Sequence, residues 1–80
     1  MEVGTVTHYY GKIGVAIVEL SAPLKVGDRV KFQGHGAEFE QPVASLQVEH
    51  AEVPEASAGQ QVGLKVDQPV KEGTLVSVVE

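Results

Sequence analysis

The chain is predicted to be all-β, a small six-stranded closed barrel of Greek-key type. Three observations predict it. Short apolar runs are separated by Gly and Pro at intervals of roughly ten residues, a spacing typical of barrels and sandwiches. Valine is abundant, and no window sustains a helical period. Apolar and polar residues alternate, as where Val30 and Phe32 interleave with Arg29, Lys31 and Gln33. Eighty residues allow a single domain, 1–80. A domain of this size buries only about 60% of its unfolded surface, so the core is small.

The first strand is expected at Glu2–Tyr10. Gly11-Lys12 suits a two-residue hairpin turn, because glycine tolerates a positive φ at the first central position. The second strand is Ile13–Leu20, and Pro23, which cannot donate to a ladder, stops it. Val26-Gly27-Asp28 turns into the third strand, and Gly34-His35-Gly36 is a flexible turn. Glu38–His50 reads as one long strand bent near Pro42, with Ala44, Leu46 and Val48 on one face and Ser45, Gln47 and Glu49 on the other. Glu52–Gly59 is a loop with room for one helical turn. Val62, Leu64 and Val66 point inward on the fifth strand, Val70–Gly73 turns, and Thr74–Val79 is the last strand. Closure of the sheet would remove exposed edges.

On the second strand, Ala16, Val18 and Leu20 form the expected inner face, because small Gly14 and Ala16 suit a tight interior. That leaves Ile13, Val15 and Ile17 outside. Such an apolar stripe is either covered by the 51–58 loop or marks a partner surface or a homodimer face.

Net charge is −5, and the imbalance is local. Residues 32–64 contain no Lys or Arg but hold Glu38, Glu40, Glu49, Glu52 and Glu55. A surface built there repels phosphates, which argues against DNA as a partner. No cysteine is present, so disulfides and thiolate metal sites are excluded. MEVGTVTH lacks the features of a signal peptide, and no apolar run approaches the ~20 residues that span a bilayer. A cytoplasmic protein without membrane partners is expected, and Met1 is consistent with a stand-alone chain.

Catalytic signals are weak. No GxxxxGK[ST] loop exists, so no GTPase activity is expected. His8, His35 and His50 match no metal-ligand spacing, and neither metal nor cofactor is expected. Glu38 and Glu40 share a strand face but sit beside a turn, where both remain solvated and unsuited to acid–base work. Ser21, Ser45, Ser57 and Ser77 lack a GxSxG context. Tyr9 and Tyr10 are adjacent on a strand, so one points in and one out, and an outward tyrosine can stack on a base or a partner protein. The chain is therefore expected not to be an enzyme.

Three stretches, VGTVTHYYGKIGVAIVELSAPLKVGDRVKFQG, VASLQVEHAEVPEASAG and QVGLKVDQPVKEGTLVSVV, come in an order that resembles the second, β-barrel domain of the translational GTPases, the family of elongation factor Tu. The resemblance implies a translation elongation factor-like binding module contacting the 3′ end of aminoacyl-tRNA, or a ribosomal or other translation protein. Counted back from Ala58-Gly59, Gln47 falls where that family presents a polar residue to the terminal adenosine. Glu49 departs from the aromatic or basic residue often found two positions on. Gln47 and Glu49 are thus the candidate RNA-facing residues. Barrels of this type also occur as non-catalytic modules appended to U32-type peptidases. The alternative function is a protein–protein adaptor unrelated to translation.

Overall fold

A computed structural model describes residues 2–34, 36–49 and 51–79. Ten short strands account for the regular structure, and no helix occurs among the described residues. They are β1 (Glu2–Tyr10), β2 (Val15–Leu20), β3 (Leu24–Lys25), β4 (Arg29–Gly34), β5 (Ala37–Pro42), β6 (Leu46–Val48), β7 (Ala51–Val53), β8 (Glu55–Ala56), β9 (Gln61–Lys65) and β10 (Leu75–Val79). Eight form one antiparallel sheet in the order β5-β4-β10-β1-β2-β9-β6-β7, and β3 pairs with β8 in a separate two-stranded ribbon.

The all-β expectation holds, and the inner face of β2 is as expected: Ala16, Val18 and Leu20 are buried. They meet Val3 and Val6 of β1, Val30 and Phe32 of β4, Val62 and Leu64 of β9, and Val76 of β10 in one core. Period-2 patterning thus placed the core correctly on β2, β4 and β9, where alternate residues are buried.

The six-stranded closed barrel does not hold in that form. No ladder joins β5 to β7 among the described residues, so the main sheet has two ends. The long Glu38–His50 strand breaks after Pro42, which has no N–H to extend a ladder. Val43 turns into the core instead, its N–H donating to the Asp28 carbonyl (2.7 Å) and its carbonyl accepting from Gly27 (3.0 Å). The alternation predicted through Ala44 fails there, since Ala44 is exposed while Leu46 is fully buried. The Glu52–Gly59 segment holds strands β7 and β8 flanking Pro54, not a helical turn.

The first hairpin also differs. Tyr10 pairs with Val15, leaving four residues in the turn. The positive φ falls at Gly14 (67°), whose N–H donates to the Tyr10 carbonyl at 2.9 Å, so Ile13 lies in the turn and not on the strand. Of the expected turn at Gly34-His35-Gly36, residue 35 lies outside the described residues.

One side chain replaces a missing ladder. Gln41 on β5 is 6% exposed. Its Nε2 donates to the Lys65 carbonyl (2.7 Å), and its Oε1 accepts from the Asp67 N–H (2.9 Å). The amide therefore offers a donor and an acceptor to the end of β9, as a neighbouring strand would, and ties an end of the sheet to its middle.

Candidate binding groove

The β1–β2 hairpin, β9 and the β6–β7 hairpin together enclose a surface groove of about 970 Å³. Register explains its composition. Pairing puts His8, Ile17, Gly63, Gln47 and Glu52 in one row across β1, β2, β9, β6 and β7, all on the outer face of the sheet. Toward the β1–β2 turn, Tyr10, Val15 and Lys65 form the adjoining row. Toward the other end, Thr5, Glu19 and Gln61 form a third.

Gly63 is the floor. A Cβ there would stand 3.3 Å from Val15 Cγ1 and 3.8 Å from both Gln47 Cβ and Ile17 Cδ1. Its missing side chain leaves open the space between the flanking residues of β2 and β6. Glycine within a strand commonly marks a close approach.

The two sets of residues singled out from the sequence, on separate segments, meet here. Val15, Ile17 and Ile13 line the groove from the first hairpin, and Gln47 and Glu49 line it from β6 and the turn that follows. Val15 and Ile17 are half-buried, neither bare nor sealed beneath the 51–58 segment, whereas Ile13 is 65% exposed. Among the described residues, the Gln47 side-chain amide has no hydrogen-bond partner. Glu49 adopts φ 52°, the left-handed region that favours Gly, Asn or Asp, and it holds its carboxylate at the tip of the β6–β7 hairpin.

Several lining residues were not assigned to this surface from the sequence. His8 and Tyr10 stand side by side with ring centroids 4.4 Å apart, and Gln60 and Gln61 complete the far end. The signal for Tyr10 was available: of two adjacent tyrosines one had to face out, and Tyr9 packs against the core while Tyr10 is 48% exposed. His8 was hidden by the bulge between Val6 and His8, which shifts the alternation by one residue. Its Nδ1 also lies 3.9 Å from Glu72.

Other candidates do not come together. Glu38 pairs with Lys31 (3.3 Å) and Glu40 with Arg29 (3.1 Å) on the exposed faces of β4 and β5, far from any acid–base geometry. His35 and His50 lie outside the described residues. No cluster of His, Asp or Glu suited to a metal occurs among those described.

No family model matches the chain. It is 36% identical over 81 aligned residues to an uncharacterised protease of Methanocaldococcus jannaschii. That alignment takes in 100% of this chain but only 20% of the protease. The C-terminal domain of a Geobacillus thermoleovorans putative U32 peptidase superposes with a TM-score of 0.91 at 26% identity, over 98% of this chain and 91% of that one. Its selenomethionine form gives 0.90. The bacterial selenocysteine-specific elongation factor EF-Sec matches with a TM-score of 0.73 at 21% identity, over 94% of this chain and 14% of the factor. The chain therefore shares its β fold with part of the elongation factor, and it is more similar to the C-terminal domain of the U32 peptidase than to that factor.

Proposed function

We propose that this chain is a non-enzymatic binding module and that the groove over Gly63 receives its ligand. The convergence of Val15, Ile17 and Gln47 on one glycine floor carries this reading. Half-buried apolar side chains beside an unpartnered amide fit a recognition surface. The chemistry of the lining does not fit catalysis, since it offers no paired acid and base held in place by burial. The kinship to a domain that stands at the C-terminal end of a putative peptidase supports an accessory role. The ligand class that the lining supports best is protein, because no Lys or Arg contributes to it.

A second reading keeps the link to translation: the groove takes the 3′-terminal nucleoside of an RNA such as aminoacyl-tRNA. The unpartnered Gln47 amide favours it, because a glutamine can present a donor and an acceptor to an adenine edge. Affinity capture from a cytoplasmic lysate, with and without RNase, separates the two. A protein recovered after RNase by the native chain, and lost with Gln47→Ala/Ile17→Thr, supports the first reading. RNase-sensitive recovery of tRNA supports the second. Equal recovery by native and variant chains removes the groove from both.

A further inference from the structure

The groove is polarised along its length. At the β1–β2 end, Tyr10, Ile13 and Val15 make it apolar and aromatic. At the opposite end, Glu49 lines it and Glu19 stands beside Gln61 in the same row. Glu52 flanks Gln47, and Glu72 flanks His8. The nearest cations, Lys12 in the first turn and Lys65 in the Val15 row, sit at the apolar end. Among the described residues, no Lys or Arg shares a row with Glu19 or Glu52.

Resting on the binding-module reading, we propose that the occupant is an extended polypeptide segment with an apolar side chain and a Lys or Arg four residues apart. Val15 and Glu19 are four residues apart on β2, so the two ends are separated by about 13 Å at ~3.3 Å per strand residue. An extended peptide lying along β2 and β9 has the same repeat, and its i, i+2 and i+4 side chains share a face. The apolar side chain sits against Val15 and Tyr10. The side chain at i+2 passes over Gly63 beside Gln47. The cation reaches Glu19 and Glu49. An RNA strand would set its phosphates against these same carboxylates, which is why charge complementarity selects the peptide.

The test is selection of a randomised nine-residue peptide display library on the intact chain, followed by NMR titration with the selected peptides and with a short RNA ending in CCA. The expected result is enrichment of peptides with a basic residue four positions from an apolar one. Their binding should shift the Ile17, Gln47 and Gly63 amides and weaken by about two- to fivefold in Glu49→Gln, the range for an exposed ion pair. Gly63→Ala, which raises the floor, should weaken binding while the rest of the spectrum stays native. Enrichment without the basic residue, or affinity unmoved by Glu49→Gln and Glu19→Gln, overturns the proposal. RNA shifting the same amides while no peptide does overturns it too, and leaves the groove standing as the ligand site. Silence of these amides toward both probes overturns the proposal and the binding-module reading together.

Discussion

Two residues in this domain sit where another residue type would be more comfortable or where a swap would be costly. Glu49 holds a left-handed backbone conformation that costs an ordinary L-residue about 1–2 kcal/mol. Glu49→Gly relieves the backbone but frees the unfolded chain, which returns part of the gain. The expected outcome is stabilisation of about 0.5–1 kcal/mol in urea denaturation, with the groove losing its lining carboxylate. Gln41 is the converse. Replacing it with Leu leaves the Lys65 carbonyl and the Asp67 N–H without their partner. A buried polar group left unsatisfied costs about 1–3 kcal/mol, so Gln41→Leu should fall within that range or exceed it. An unchanged denaturation midpoint would show that water replaces the amide.

At the scale of elements, the first hairpin is held by close contact. A Cβ on Gly4 would stand 2.6 Å from the Glu19 carbonyl oxygen and 2.8 Å from Val18 Cγ1. Gly4→Ala must therefore push β1 away from β2, at a cost of about 1–3 kcal/mol, measurable by thermal unfolding. The outer face of that hairpin gives an intermediate response. Val15→Thr with Ile17→Thr removes half-buried apolar surface, and a loss of about 1–2 kcal/mol is expected, below the cost at fully buried sites. The strands β4 and β9 were legible in the sequence because each alternates apolar and polar or small residues, as with Val30 and Phe32 against Arg29, Lys31 and Gln33, whereas β2 is apolar on both faces and its inner face was told by the small size of Gly14 and Ala16. The segment from Pro42 to Ala56 was not legible. There the strands are two or three residues long, too short to display a period, and Val43 is buried outside any ladder. Gln47 and the Val15–Ile17 stripe were each visible as outward-facing positions. Their meeting was not, because it depends on β6 and β2 flanking β9, which is a matter of strand order.

For the molecule as a whole, the sheet order sets where stability resides. The strands β4, β10, β1, β2, β9 and β6 are each paired on both sides, while β5 and β7 close the two ends. Amide hydrogen exchange should be slowest in β1 and β2 and fastest in β7, which is short, exposed and paired only to β6. Uniform protection across all strands would mean that the domain opens only as one unit. The chain has no cysteine, and its core is built from aliphatic residues and Phe32. A chelator is expected to leave the melting temperature unchanged.

Gly63 has an effect beyond the shape of the surface. In an ordinary sheet, side chains on strands two apart are shielded from one another by the residue between them. Here that shield is a hydrogen atom, and the side chains at 15, 17 and 47 all border the space that a side chain at 63 would fill. A double-mutant cycle between Ile17 and Gln47 should give a measurable coupling energy that shrinks once residue 63 carries a side chain. Across homologous sequences the same dependence would appear as conditional covariation: substitutions at 17 and 47 track each other where residue 63 is glycine and drift independently where it is not.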